Sequence, residues 1–253
     1  MTGKKLQKGG RYLYAVIEGA ETRQYGKIGI AERNVYTISN GLTTAVVSDC
    51  VPNKSIRPER RNIKAHQEVM KCLMKETTPL PMAFGIIADS PQAVKTILTN
   101  NQEVLLDQLT RVKDKTEMGL RAFLDVSNIF EYFISTHSEL RNVRDQYFGT
   151  NREPSPEDKI ELGRTFDSIL NEDREKFTEQ VEDILAPNCF ECKRNKCRNE
   201  SELMNLVCLV GRDQEEQLEE AIYKAAGLFD NNFSFDYNGP WAPHNFVDID
   251  LSI

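Results

Sequence analysis

Histidine and tryptophan are scarce in this chain: three and one among 253 residues. His66, His137 and His244 lie in three separate segments, so no local histidine cluster exists to shuttle a proton or hold a metal. There is no glycine-rich phosphate loop, no G-x-S-x-G and no H-E-x-x-H, which removes the commonest nucleotide, serine-hydrolase and zinc-protease signatures. No apolar run approaches the ~20 residues that a membrane helix needs. Positive charge is in deficit: 32 Lys and Arg against 39 Asp and Glu, a net charge of −7. Nucleic-acid affinity comes mostly from Lys and Arg neutralising phosphates, and anionic lipid attracts basic segments, so neither partner is expected. The apolar stretch Tyr12 to Ile17 is too short for a signal-peptide core and is closed by Glu18. The reading is of a cytosolic protein whose six cysteines serve as thiols or ligands rather than disulfides.

Hydrophobic residues at 40% and charged residues at 28% describe a chain able to bury a core, and the length allows one large domain or two small ones. Tyr12-Leu-Tyr-Ala-Val-Ile17 reads as a buried strand. Lys27 to Ser39 and Leu42 to Val51 are rich in β-branched residues and meet at Asn40-Gly41, the strongest short hairpin signal. Ile63, His66, Met70, Leu73 and Met74 recur at helical spacing, and the helix ends before Thr77-Thr78-Pro79. Pro81 to Ala88 reads as a strand. Ser90-Pro91 opens a helix, with serine as cap and proline at the first helical position. One apolar stripe follows it from Val94 to Val112.

Glu117 to Val126 alternates like a strand. One helix is expected from about Asn128 to Phe148. Another starts at Ser155-Pro156, with Glu157 and Asp158 at the positive end of its dipole, and stops at Pro187. The short turn Gly149 to Pro154 would make them an antiparallel hairpin. Pro187 to Glu202 is polar. Leu203 to Val210 is a strand, Asp213 with Glu216 a capping box, and Phe233 to Tyr237 a strand. In the tail, Phe246 or Val247, Ile249, Leu251 and Ile253 alternate with Asp248, Asp250 and Ser252 as in an edge strand. The fold class is therefore α+β with two packed domains: 1–112, an N-terminal α+β domain; 113–238, a modified ferredoxin-like domain with a helical hairpin in place of its first helix and one inner strand missing or irregular; and 239–253, a C-terminal tail. Trp241, flanked by Pro240 and Pro243, is expected to be largely buried as this tail packs back onto the body.

The sharpest chemical signal is Cys189-x2-Cys192-x4-Cys197, with Cys208 as a fourth thiol. A tetrahedral zinc site wants four such ligands, often in two close pairs, and only one close pair exists here. A loop of free thiols, a structural metal and a redox-sensitive segment all remain open. Cys50 and Cys72 read as small core residues. Asp248 and Asp250 share a strand face, and solvated edge charges are the simpler reading of them. His66 reads as a satisfied, semi-buried side chain. No nucleophile, base and oxyanion site assembles, so catalytic residues, cofactor-binding residues, metal ligands and cofactors are all read as none.

Four segments in order resemble the GvpF/GvpL family of gas vesicle proteins. Tyr12-Leu-Tyr-Ala-Val-Ile17 is similar to its N-terminal Y-L-Y-[AG]-[IV] start. His66-Gln-Glu-Val69 followed by Leu80-Pro-Met-Ala-Phe-Gly85 resembles its helix histidine and L-P-x-R-F-G stretch, with Ala83 where the family has arginine. Lys113 to Asp125, carrying Glu117, Gly119 and Arg121, resembles K-x-E-[WY]-G-[LV]-[KR]. Gly239-Pro-Trp-Ala-Pro-His-Asn-Phe-Val247 resembles the G-P-W-P-P-Y-S-F ending, with His244 in place of tyrosine. The cysteine-rich loop is not part of the pattern. The resemblance implies a non-enzymatic accessory or minor structural protein of gas vesicle formation. Its expected location is the gas vesicle, and it would be soluble in the cytoplasm before assembly. Its implied partners are the main gas vesicle shell protein, whose aggregation it would limit, and other gas vesicle accessory proteins. Two alternatives compete: a metal- or redox-responsive regulator built on the Cys189–Cys197 loop, and an enzyme with a cleft between its domains, against which the scattered histidines argue.

Overall fold

A computed structural model describes residues 9–52, 55–148, 153–249 and 251. The chain forms two units, Met1–Glu117 with Pro240–Ile253, and Met118–Gly239. The fold is mixed α and β, with one sheet centred on each half of the sequence.

The first unit is built on β1 (Gly10–Glu18), β2 (Gln24–Gly26), β3 (Val35–Ser39), β4 (Thr43–Cys50), α1 (Arg60–Met74), β5 (Leu80–Pro81), β6 (Ile87–Ala88), α2 (Pro91–Asn100) and α3 (Gln102–Val112). The strand order is β2-β3-β4-β1-β5, and β6 also pairs with β1. β1 is therefore central, which explains its uninterrupted apolar run. A bulge between Leu13 and Ala15 breaks the two-residue alternation. Leu13 and Val16 join one core with Val94, Leu98, Leu105 and Leu109 of α2 and α3. Tyr12, Tyr14, Ala15 and Ile17 join the other with Val69, Met70 and Leu73 of α1. Helices thus cover both faces of the sheet.

Several local expectations are corrected. The hairpin pairs Ser39 with Thr44, but its turn residues are Gly41 and Leu42 rather than Asn40 and Gly41. Asn40 instead accepts hydrogen bonds at Oδ1 from the N–H groups of Leu42 (3.1 Å) and Thr43 (2.9 Å), and Gly41 alone takes a positive φ, +105°. Within Lys27 to Ser39 only Val35–Ser39 is strand. Ile30–Glu32 is a 3-10 turn, with Ala31 and Glu32 both at φ +56°. The strand expected over Pro81 to Ala88 is two short pieces separated by Gly85 at φ +101°. The stripe from Val94 to Val112 is two helices, broken at Asn101, whose side chain donates to the Ile97 carbonyl at 2.8 Å. Ser90 does cap the first of them, accepting from Ala93 N–H at 3.1 Å.

The second sheet comprises β7 (Lys115–Leu124), β8 (Glu191–Arg194), β9 (Glu202–Gly211) and β10 (Phe233–Trp241). Between them lie α4 (Ile129–Thr136), α5 (Ser138–Phe148), α6 (Pro156–Leu185) and α7 (Glu215–Ala226). Strand order is β10-β7-β9-β8. Taking the helices before β8 as one layer, the chain runs β-α-β-β-α-β, the order of a split-βαβ unit. β8 is the strand absent from the sequence reading, which placed it in a polar loop and expected the missing strand to be an inner one, whereas β8 lies at the end of the sheet. The helix expected over Asn128 to Phe148 is broken at His137 (φ −114°, ψ 112°). Arg141 caps the end of α4 there, donating to the Ile134 and Ser135 carbonyls. α6 begins as expected at Ser155, in a full capping box with Asp158. α7 does not use Asp213: Gln214 holds the N-cap position with no side-chain cap. Leu124, Phe133, Leu140, Phe166 and Ile169 gather α4, α5 and α6 into one core. The expected turn Gly149 to Pro154 lies partly outside the described residues, at 149–152.

Among the described residues the edge strand expected from Phe246 onward is not formed. Beyond Trp241 residues 242–249 form no strand, because turns bring two of their apolar side chains inward together. Val247, Ile249 and Leu251 pack against the first core. Trp241 is half-buried rather than largely buried, and the fully enclosed aromatic is Phe246, at 0% exposure. Asp250, Ser252 and Ile253 lie outside the described residues.

Candidate functional site

β1 and α1 build a buried polar network beneath a cleft of the first unit. Two positions apart in β1, Tyr12 and Tyr14 share a face by ordinary alternation, ring centroids 4.8 Å apart, and the bulge brings Ala15 onto that face as well. Tyr12 Oη lies 2.9 Å from His66 Nδ1 and accepts from Gly85 N–H at 3.2 Å. A neutral imidazole with its proton on Nε2 accepts the Tyr12 hydroxyl proton at Nδ1. Burial pushes the His66 pKa down to about 4, helped by the nearby His244 charge. Tyr14 Oη accepts from Ile30 N–H (2.8 Å) and pairs with Ser48 Oγ (2.9 Å). Burial raises both phenols. One aromatic face thus fastens α1, β4, the 3-10 turn and the Gly85 corner to β1.

The cleft above has a volume of about 1110 Å³, with Tyr12 and Ser48 among its lining residues and both signs of charge around them, such as Arg33, Lys64, Glu32 and Glu68. Gly29 lines it too. A side-chain carbon there would lie 2.7 Å from Tyr14 Oη and 2.9 Å from the Arg33 carbonyl, so only glycine fits. The left-handed Ala31 and Glu32 are held beside it. Tyr12 and Cys50, the titratable groups closest to nucleophiles here, are both raised by burial. Burial thus favours the neutral, protonated form of both groups.

The four singled-out thiols divide three to one. Cys192 and Cys208 are direct partners in the β8–β9 ladder, and Cys208 donates to Cys192 with sulfurs 3.8 Å apart. Cys189 packs against the same core as Cys208, and its Sγ donates to the Ala186 carbonyl at 4.0 Å. Cys197 stands apart, near Arg174, Glu202 and Arg121. Among the described residues no three His, Cys, Asp or Glu side chains are arranged to hold a metal ion. Cys50 and Cys72 are half-buried. His137 stacks on Phe133 and lies 3.3 Å from Asp173. Asp248 is exposed.

Two motif segments meet in the first unit. Asn245 donates to Glu117 from both its backbone N–H (2.8 Å) and its side-chain amide (2.7 Å), and Thr116 Oγ1 donates to the Trp241 carbonyl at 3.0 Å. Sequence reasoning marked both segments but not their partnership. The Tyr14–Ser48–Ile30 bonds and the thiol pairing left no local signal, since each depends on strand register.

No helix among the described residues is long and apolar enough to cross a membrane. The family model described as gas vesicle synthesis protein GvpL/GvpF matches residues 10–248. Gas vesicle protein F of Streptomyces sp. is 26% identical over 247 residues, spanning 94% of this chain and 99% of its own. Gas vesicle protein F1 of Halobacterium salinarum is 25% identical over 246 residues, spanning 95% and 93%. The crystal structure of GvpF from Anabaena sp. PCC7120 superposes with a TM-score of 0.80 at 24% identity, over 96% of this chain and 99% of that one. That of GvpF from Microcystis aeruginosa gives 0.76 at 19%, over 95% and 99%. The fold is shared along the whole length, and the family match runs through all four motif segments: the chain belongs to the GvpL/GvpF family and has its role in gas vesicle formation.

Proposed function

We propose that this protein is a non-catalytic accessory factor that binds the main gas vesicle shell protein and limits its aggregation during nucleation and assembly. A subunit that polymerises into a gas-filled wall must expose sheet edges and apolar faces beforehand, and such edges aggregate unless covered. The observation that carries the reading is β10. It is a strand of 9 residues at the end of its sheet, paired only with β7 among the described residues. A sheet edge can receive a further strand, main-chain hydrogen bonds supplying affinity and alternate side chains selectivity. Phe233, Phe235 and Tyr237 on it are half-buried, which gives an incoming strand apolar surface to cover.

The test is co-expression. Soluble shell protein should rise with this chain present, co-purify with it, and stay bound between low and moderate salt, since only exposed charge pairs are strongly screened. Ser234→Lys, which adds charge to the exposed face of β10, should weaken capture. If the two proteins never co-purify and vesicles form normally without this chain, the reading is wrong. If capture persists undiminished in the Ser234 variant, β10 is not the contact.

A further inference from the structure

At the end of the second sheet, Cys192 of β8 stands directly opposite Cys208 of β9. The bond from Asn195 N–H to the Asn205 carbonyl marks 195 and 205 as a hydrogen-bonded pair in this antiparallel register. Pair types alternate, so Cys192 and Cys208, three positions along, form a non-hydrogen-bonded pair. In such pairs the Cα atoms lie about 4.5 Å apart and side chains are closest. A disulfide spans Cα separations of about 4.4–6.8 Å. The two sulfurs already lie 3.8 Å apart, with the Cys208 thiol donating to Cys192. Closing them to the ~2.05 Å of an S–S bond asks for side-chain rotation and little backbone movement. β8 is also fastened from α6, because Arg194, two residues beyond Cys192, donates to both Glu182 and Glu175. The neighbouring thiols are placed differently: Cys189 donates to the Ala186 carbonyl, and Cys197 follows β8 and lies near Arg174 and Glu202.

We propose that Cys192 and Cys208 form a reversible dithiol–disulfide site that exchanges with small-molecule disulfides and ties β8 covalently to β9 when oxidised. Cys192 is half-buried, whereas Cys208 is 1% exposed, so a reagent from solvent meets Cys192 first. Exchange proceeds through the thiolate. Cys192 gives its proton to solvent and attacks one sulfur of the small disulfide. That S–S bond breaks, and the departing thiolate takes a solvent proton and leaves as the first small thiol. Cys192 now carries a mixed disulfide. Cys208, already beside it, attacks the Cys192 sulfur. The mixed S–S bond breaks, the second small molecule leaves as a thiol with the Cys208 proton, and the cross-strand bond forms. Two electrons pass from the protein pair to one small disulfide, which becomes two thiols. Reduction runs the same steps backward, entering again at the more exposed Cys192. Cys189 and Cys197 take no part.

The experiment treats the full-length reduced protein with excess oxidised glutathione and reads intact mass and non-reducing peptide maps. Cleavage at Glu191 separates Cys189 from Cys192, so the map assigns the bridge. The expected result is the loss of two hydrogens per chain, in a Cys192–Cys208 disulfide that a dithiol reverses. Amide hydrogen exchange across β8 should slow in the oxidised form, because opening of that strand is then tethered. Cys192→Ser should abolish the bridge. Cys208→Ala should stop the reaction at one glutathione on Cys192. Cys189→Ser and Cys197→Ser should leave the rate and the product unchanged. Intact thiols after treatment, or a bridge that joins any other pair, overturns the proposal, as does loss of the bridge in Cys189→Ser. Mapping the unsubstituted protein decides the matter even if the buried Cys208 variant fails to fold.

Discussion

Glu117 and Asn245 are 128 positions apart in sequence, yet Asn245 places both of its N–H donors on the two carboxylate oxygens of Glu117, at 2.8 and 2.7 Å. Glu117 is 5% exposed, so its carboxylate depends on such donors. Hydrogen bonds to charged groups contribute about 1.5–3 kcal/mol, and a buried group left unsatisfied costs a similar amount. Glu117→Gln should cost less than Glu117→Ala, because one carboxylate oxygen is kept as an acceptor. A double-mutant cycle with Asn245→Ala, read by chemical denaturation, should give a coupling of at least ~1 kcal/mol. Strict additivity would show that the contact contributes nothing.

The tail should be anchored by Phe246 rather than by Trp241. Phe246 is wholly enclosed, and burial of this kind costs about 3–5 kcal/mol to remove as Phe→Ala. Trp241 is half-buried with Lys71 Nζ 5.6 Å over its ring, so Trp241→Ala should cost clearly less. Comparing melting temperatures of the two variants checks the order, and a larger loss for Trp241→Ala would refute it.

His66 should make stability depend on pH. Its folded pKa of about 4 lies below the ordinary ~6.5. Between these values the unfolded chain binds more protons than the folded one, so stability rises with pH. The contribution is fully present above about 6.5 and is lost as pH falls toward 4, amounting to roughly 3 kcal/mol at ~1.4 kcal/mol per pKa unit. Protonation at Nδ1 would also end the bond from Tyr12. His66→Gln keeps an acceptor without a titration, so the fall in melting temperature from pH 7 to 4.5 should be shallower in that variant. Parallel curves would show that His66 is not the titrating group.

Gly29→Ala should destabilise the protein by about 1–3 kcal/mol, the usual range for overpacking. The added carbon meets Tyr14 Oη and a backbone carbonyl at once, and neither can retreat cheaply. Gly163, with open space around it, is the control: Gly163→Ala sits in a helix and should stabilise by a few tenths to ~1 kcal/mol.

What the residues disclosed in advance was what short-range physics decides. The run Tyr12 to Ile17, the Asn40-Gly41 region, Ser90-Pro91 and the Ser155 box each carry a local reason for their structure. The resemblance supplied the rest of the outline, and marked Glu117 and Asn245 without joining them. The breaks at Asn101 and His137 were hidden because apolar spacing continues across both, and what ends each helix there is side-chain bonding to the last carbonyls. β8 was hidden because Glu191-Cys-Lys-Arg194 has no apolar alternation; it is a strand because β9 lies beside it. For the same reason three of the four thiols looked like neighbours along the chain, while the pairing that matters crosses to Cys208.

The first unit is interrupted by the whole of the second, with residues 240–253 returning to complete it. During synthesis this sets an order. The ribosome delivers β1 through α3 early, but Phe246 and the Glu117 partner Asn245 are made only after residues 118–239, at a translation rate of ~5–20 residues per second. For that interval, on the order of ten seconds, the nascent first sheet lacks its last apolar contributors, while the second unit is made as one unbroken stretch of chain. The two units therefore become complete almost together, since the last strand of the second runs directly into the segment that finishes the first.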